Sequence, residues 1–408
     1  MASYSARADL HRSAVLAQIG ALGPKSRADL SRLLDVSPAL ITKVTRKLIA
    51  DGLLIELDNS PSRGGRPARL LGLRTEAGRA IGVKVADDHL TFVEVGIGGN
   101  IARSATEPFD AAASSAVSSL AKLLRSFIEK AESGPILGVG VGVPGNVVDQ
   151  DAGIVDSTQL GWNGVQLGNA LRHELELPVL IDNNVNALTF AERLHGKAQG
   201  RENVLITTIG TGIGAGIIAG GVVIRGHSGG AGEIGHIPVI EDGPECQCGA
   251  RGCLEALISQ AAIVEQARSD DVIAADQGID VLRDKANQGD GEAKEFFARA
   301  GLLLGRTLAG VVNFFDPEIV IVLGEGVDAW THWSATFDSA FRPALMPHKR
   351  AIPVAVETWK DDRWAHGAAS LVLATPFDET GNSGEQGRLV RARLAEIQPN
   401  RTDVSTEA

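Results

Sequence analysis

Residues 232–256 read GEIGHIPVIEDGPECQCGARGCLEA, and this stretch holds every cysteine of the 408-residue chain, at positions 246, 248 and 253. His236 lies upstream of the first cysteine, with nine residues between them, and Glu233 and Glu255 flank the group. Thiolates and imidazole are donors that zinc favours, and four of them fill a tetrahedron. Cys246 and Cys248 are too close in sequence to bridge comfortably as a disulfide. A tight loop through Gly243, Gly249 and Gly252 would let them grip one ion. Cys253 begins a predicted helix, CLEALIS, and His236 returns from upstream. The expectation is a structural zinc ion on His236, Cys246, Cys248 and Cys253, set against the plainer reading of three buried free thiols. Four protein ligands leave no position for a reactive water, so zinc-driven hydrolysis is not expected.

Around this stretch the composition is that of a globular protein, 44% hydrophobic and 22% charged, with 48 glycines. The start, MASYSARADLHRS, has no apolar core of a signal peptide. No apolar run reaches the roughly 18 residues of a membrane helix. The expectation is a soluble cytoplasmic protein, in which clustered cysteines favour a metal over a disulfide framework. The net charge of −11 is unevenly spread. Residues 1–75 carry 12 basic and 6 acidic side chains (+6), leaving 39 − 12 = 27 basic and 50 − 6 = 44 acidic (−17) for the remainder. A basic head on an acidic body points to an anionic polymer as partner of the head.

The head (1–75) begins with a helical spacing at Val15, Ile19 and Leu22. SRADLSRLLDV follows, with Ser26 as N-cap, Asp29 in the first turn, and Leu30, Leu33 and Leu34 on one face. In SPALITKVTRKLIADGLL, Ser37 suits an N-cap and Pro38 the first helical position. Ile41, Val44 and Leu48 form an inward stripe, Thr42, Lys43 and Arg46 face outward, and Gly52 ends the helix. Next comes strand, Gly/Pro/Arg turn, strand, with Arg63, Arg66 and Arg69 on the turn. This order predicts a winged helix-turn-helix. Pro38, Ala39, Thr42, Lys43 and Arg46 would contact base edges, and Arg63, Arg66 and Arg69 the phosphates or minor groove of duplex DNA. A small helical protein-interaction module is the competing reading.

From Ala80 the pattern changes to short β-rich runs, AIGVKVA, LTFVEVGI, ILGVGVGVPG and VLIDNN, with helical runs between some of them. This predicts an α/β body with a mixed or parallel sheet. A second unit starts near VLITTIGTGIGAGIIAGGVVI with the same strand, glycine turn, strand logic. The expected division is 76–190 for a first lobe, 191–376 for a second lobe with the zinc loop, and 377–408 for a polar, poorly ordered tail. A cleft between the two lobes is expected.

GEIGH followed by CQCGARGCLEA resembles the signature of the ROK family of repressors and sugar kinases. GVGVGVPGNV, STQLGW, IDNNVNALTFAE and IGTGIGAGII stand where that family has its sugar-lobe loops, so the resemblance spans nearly the whole chain. It implies an actin-like, two-lobed sugar-kinase fold, a structural zinc and a sugar ligand, with the head marking the repressor branch. It places sugar contacts on Gly145, Asn146, Thr158, Asn183, Glu233, His236 and Glu255, with Asn184 beside them. Amides and carboxylates take vicinal hydroxyls as paired hydrogen bonds, which suits this set.

The sequence departs from the family's kinases twice. Their general base, an aspartate, matches Asn184, and an amide cannot take a proton near neutral pH. Their first phosphate turn matches GVKVADDHLTF, where Lys84 replaces the leading aspartate and Asp87 and Asp88 lie off the pattern. IGTGIG (209–214) and LGEG (323–326) still resemble nucleotide loops, but glycine loops alone are weak evidence. The expectation is therefore a sugar-responsive transcriptional regulator, a repressor without kinase activity, working as a homodimer or tetramer. The competing functions are an ATP-dependent sugar kinase with an added head and a ligand-independent DNA-binding scaffold.

Overall fold

The structure, a computed structural model, describes residues 11–12, 14–16, 18–20, 23–59, 69–74, 78–131, 134–377 and 384–396. The chain divides into two compact units. The first comprises Met1–Arg201, Gly220–Val222 and Asp362–Ala408, and the second Glu202–Ala219 and Val223–Asp361.

In the head, the described positions from His11 to Gly20 are helical and bury Val15, Leu16 and Ile19. The helix Arg27–Leu33 starts in a capping box: Ser26 and Asp29 each accept the other's backbone N–H. The helix Pro38–Ala50 is capped by Ser37, has proline at its start, and buries Ile41, Val44, Thr45 and Leu48. Leu33 is a correction to the predicted inward face. It is 49% exposed, because a helix of two turns turns only Leu30 fully into the core. β1 (Lys25–Ser26), β2 (Leu54–Asn59) and β3 (Arg69–Leu73) form an antiparallel sheet in the order β1-β3-β2. The turn that carries Arg63 and Arg66 lies outside the described residues.

The remainder of the first unit is built on a five-stranded mixed sheet. It contains β4 (Arg79–Val85), β5 (His89–Gly96), β6 (Ile101–Pro108), β7 (Ile136–Val143) and β11 (Val179–Asn183), in the order β11-β7-β4-β5-β6. β4, β7 and β11 run parallel, and β5 and β6 complete an antiparallel meander. A small antiparallel sheet of β8 (Asn146–Asp149), β9 (Ile154–Ser157) and β10 (Trp162–Gln166) lies in the chain between β7 and β11. The GVGVGV run of β7 has a packing cause. A Cβ at Gly140 would strike the carbonyl of Ala368, and one at Gly82 that of Ala365. Bare backbone on this face lets the helix Asp362–Ala374 lie directly on the sheet.

That packing corrects the contiguous lobes expected from sequence, because the chain returns to the first unit at Asp362. The expected poorly ordered tail is corrected for residues 384–396, while 378–383 and 397–408 lie outside the described residues. The helix Gly384–Glu396 buries Val390 and Leu394 in the core that also holds Leu137 and Leu180. Two apolar side chains four residues apart, together with Gln386 Oε1 accepting the Val179 N–H (3.3 Å), dock an otherwise polar segment.

The second unit repeats the sheet plan. β12 (Val204–Ile209), β13 (Ile213–Ala219), β14 (Val222–Val223), β15 (Ile319–Leu323) and β16 (Val354–Val356) are ordered β14-β13-β12-β15-β16. β12 pairs antiparallel with β13, and β12, β15 and β16 run parallel. Its core gathers around the helices Gly291–Phe315 and Trp330–Ala344, with Phe297, Trp333, Phe337 and Phe341 fully buried. Among the described residues, no helix is long and apolar enough to cross a membrane.

Candidate functional site

The second unit brings His236, Cys246, Cys248 and Cys253 together, with all their donor atoms within 4.8 Å of one another. The backbone makes this possible. Ile234–His236 is one turn of 3-10 helix, Cys246 N–H donates to Ala250 O (2.8 Å), and Pro238 bridges Cys253. Gly249 (φ 88°) and Gly252 (φ 69°) take the left-handed conformations the loop needs. Sγ of Cys246 lies 3.5 Å from Nδ1 of His236, and Sγ of Cys248 lies 3.7 Å from Sγ of Cys253. Zinc bonds of about 2.3 Å to sulfur and 2.0 Å to nitrogen give tetrahedral edges of about 3.8 and 3.5 Å. The donor set therefore fits such an ion, and the sulfur spacing is far from a disulfide. Burial, and then its sulfur neighbours, push the Cys253 thiol up to about 12. Three thiolates cannot share this space without a cation to balance them.

Around this loop stand the two predicted acids. Glu233 Oε2 is 3.7 Å from Nε2 of His236. Glu233 keeps 46% of its side-chain surface, yet partial desolvation raises its carboxyl above the usual range, with His236 opposing and Glu255 adding. Glu255 is less free than the sequence suggested, since its Oε2 accepts the Ile213 N–H (2.9 Å). It thus braces the IGTGIG turn from behind. That turn has a second acid against it, which the sequence reading missed: a Cβ on Gly210 would run into the Glu325 carboxylate of LGEG.

The first unit carries the asparagines, at the carboxyl ends of the parallel strands, where open α/β sheets place ligands. Lys84, Gly142 and Asp182 stand in one row across β4, β7 and β11. Past that row come Gly145–Asn146 and Asn183–Asn184. Asn183 is consumed internally: its Oδ1 caps the helix Asn184–His195 through the Val185 N–H (2.7 Å), and its Nδ2 donates to Gly145 O (2.8 Å). By contrast, Oδ1 of Asn184 and Oδ1 of Asn146 are buried with no hydrogen-bond partner among the described residues. Buried acceptors without donors are costly, which makes both candidate ligand contacts. Gly145 (φ 101°) closes against Asp156 O, and Thr158 is exposed on the turn after β9.

On the head, Pro38, Ala39, Lys43 and Arg46 are exposed on the Pro38–Ala50 helix. Thr42 is half-buried and spends its hydroxyl on Pro38 O (2.8 Å). Arg69 is exposed but held by Glu56 at 2.6 Å, and Glu56 also takes Arg27 at 2.8 Å. These two arginines, Arg27 first, hold the Glu56 carboxyl below its usual range. Arg27, Thr42, Arg46, Glu56 and Arg74 line one open groove. Sequence reading missed Arg27 and Glu56, because their pairing joins a helix start to a strand 29 residues away.

Comparison with known proteins extends these observations. Residues 81–375 match the model of the ROK family. The chain is 30% identical to the DNA-binding transcriptional dual regulator NagC of Escherichia coli K12 over 377 residues, 89% of this chain and 92% of that protein. It is 28% identical to the xylose repressor of Bacillus subtilis 168 over 316 residues, 77% of this chain and 81% of that one. The fold is similar to the crystal structure of a ROK family transcriptional regulator described as a homolog of the E. coli MLC protein. That match has a TM-score of 0.74 and 26% identity, and covers 95% of this chain and 99% of that one. Likeness that continues through both units and beyond the zinc-type loop is not a local coincidence of motif, and the chain belongs to the ROK family.

Proposed function

We propose that this protein is a sugar-responsive, DNA-binding transcriptional regulator, a repressor that has lost kinase chemistry. The observation that carries the reading is the extent of the regulator likeness. Coverage of 95% leaves at most about 20 of 408 residues unmatched, so the basic head is part of it. The head reads as a winged helix-turn-helix: a doubly capped pair of short helices, the second with its basic residues outward, then a hairpin. Pro38, Ala39, Thr42, Lys43 and Arg46 meet the bases, and Arg63, Arg66 and Arg69 meet the backbone. The body reads as an actin-like pair of lobes that binds a sugar or sugar derivative. Asn146 and Asn184 offer the acceptors left open in the first unit, with Gly145, Thr158 and Asn183 shaping their loops. On the second unit, Glu233, His236 and Glu255 are the sugar contacts that the family resemblance implies. Zinc on His236, Cys246, Cys248 and Cys253 would hold the acid-bearing loop rigid, and supplies no reaction step.

Phosphoryl transfer needs a base at the accepting hydroxyl and a cradle for metal and phosphate. Asn184 is no base, Lys84 stands in place of the first aspartate, and Glu325 faces the remaining glycine turn. We take the working state to be a cytoplasmic homodimer that sets two heads on a two-fold operator. The test is fluorescence anisotropy with a duplex selected by the protein from a random pool. A panel of aldoses and N-acetylated aldoses should contain at least one that changes DNA affinity, with no sugar-dependent ATP turnover. Unchanged DNA affinity with every sugar, or turnover in a coupled assay, would sink the reading.

A further inference from the structure

The helix Asn184–His195 has the unsatisfied Asn184 at one end and an unusual histidine at the other. Both ring nitrogens of His195 are inaccessible to solvent and without hydrogen-bond partners among the described residues. Its ring lies against the β5–β6 turn: a Cβ on Gly99 would stand 2.5 Å from Nδ1 and 2.6 Å from Cγ of His195. The same glycine is held from a second helix, by His366 Nε2 at 2.9 Å from Gly99 O. The two imidazoles are 5.5 Å apart, centroid to centroid.

These two helices form one rigid pair. A Cβ on Gly367 would stand 2.8 Å from the Leu188 nitrogen, and Arg363 pairs with the buried Glu192 at 2.8 Å. The other side of the turn touches the head. A Cβ on Gly20 would stand 2.6 Å from Gly98 O and 2.9 Å from its Cα, and one on Gly98 would stand 2.6 Å from Cδ1 of Leu73. The turn Gly98–Gly99 is thus wedged between the DNA-binding head and the helix that begins at the asparagine pair. Close-packed backbone with no side chain between leaves nothing soft to absorb a displacement.

We propose that His195 is a positioning residue for regulation: it carries a ligand-dependent shift of the Asn184–His195 helix through the Gly98–Gly99 turn to Gly20 of the head. A partnerless imidazole has no stabilising bond to lose, so its place is set by shape alone, and it moves with its helix. His366 keeps the turn seated against the His195 ring, so a shift of that ring is passed to the turn. This inference rests on the reading of Asn184 as an effector contact.

The experiment compares wild type, His195→Ala and Gly20→Ala as full-length, zinc-loaded proteins. D-Glucose, D-xylose and N-acetyl-D-glucosamine are titrated by calorimetry, and anisotropy is read on the selected duplex with and without each sugar. Neither His195 nor Gly20 touches sugar or DNA in this scheme. Sugar affinity should therefore stay within about 3-fold of wild type in both, and sugar-free DNA affinity likewise in His195→Ala, whereas Gly20→Ala must displace Gly98 and is read by its sugar-induced change alone. The sugar-induced change in DNA affinity, expected at about 10-fold or more in wild type, should fall below about 2-fold in both variants. Variants that bind the sugar and respond fully would overturn the relay while leaving the effector reading intact. Wild type that binds none of these sugars nor any other aldose or N-acetylated aldose of the panel would remove the effector reading and the relay with it. Hydrogen exchange on wild type guards against a variant that does not fold. Sugar should change exchange at the Gly99 amide, which donates to Gly96 O at 2.9 Å. Unchanged exchange there on sugar binding would also overturn the relay.

Discussion

Asn183 donates its Nδ2 to the carbonyl of Gly145 across 2.8 Å, tying the end of β11 to the turn after β7. Its Oδ1 simultaneously caps the following helix. Asn183→Ala removes both bonds and should lower unfolding stability by about 1–3 kcal/mol. Asn183→Asp keeps the cap but cannot donate to Gly145, and should lose less. Urea unfolding of the two variants checks the order. Equal stability of Asn183→Ala and wild type would mean that the side chain is free in solution.

Asn184 should behave differently, because its side-chain oxygen has no internal partner. Asn184→Ala is expected to cost little stability and to weaken sugar binding about 10-fold, the value of one well-placed hydrogen bond. Asn184→Asp should not create a kinase, since Lys84 and Glu325 remain. Calorimetry and a coupled ATP assay read the two outcomes. Turnover in the aspartate variant would show that only the base had been lost.

Cys248→Ser should strip the metal. The four donors act as one set, and an unbalanced set holds zinc poorly. Metal content per chain, measured by atomic emission, is expected to fall well below one, with a lower melting temperature and weaker sugar binding through the loop that carries Glu233. Stoichiometric zinc in this variant would refute the four-ligand assignment.

Glu56 holds Arg27 and Arg69 in the free protein, so DNA must compete with a carboxylate for them. Glu56→Gln should release Arg69, raise DNA affinity, and steepen log K against log salt by up to about one. Arg69→Ala should do the reverse. The check is an anisotropy series across salt concentration, in which identical slopes would exclude Arg69 from phosphate contact.

His195 also predicts a pH effect. Burial, and then His366, depress its pKa to about 3, from 6.5 in the unfolded chain. Between those values the unfolded state binds the extra proton. Its contribution is complete above about pH 6.5 and is lost as pH falls toward 3, by at most about 1.4 kcal/mol per unit. His366 is lowered in the same sense, chiefly by burial. His195→Asn should flatten the fall in melting temperature between pH 6.5 and 4.5. A parallel fall in variant and wild type would contradict the buried neutral state.

Local chemistry made much of this protein legible in its sequence. Ser26, Asp29, Ser37 and Pro38 announce the two helix starts because a cap is satisfied within three or four residues. The cysteines and His236 announce their cluster because thiols and imidazole at that spacing have few other uses. The glycine runs marked strands and turns, and Asn184 and Lys84 marked the departures from the kinase pattern on which the proposed loss of phosphoryl transfer rests, since a residue's protonation chemistry travels with its identity.

What the tertiary structure decided concerns partners remote in the chain. Asp362–Ala374 lies on β7 because Gly82 and Gly140 leave room for it, and a periodicity argument cannot say which surface a helix will cover. Val390 and Leu394 dock the helix Gly384–Glu396, in a stretch whose composition reads as disordered. Glu325 reaches the glycine turn, Glu56 takes two arginines, and His195 meets Gly99 only through folding. Sequence fixes each residue's chemistry and short-range geometry, whereas packing of close backbone surfaces selects which distant groups meet.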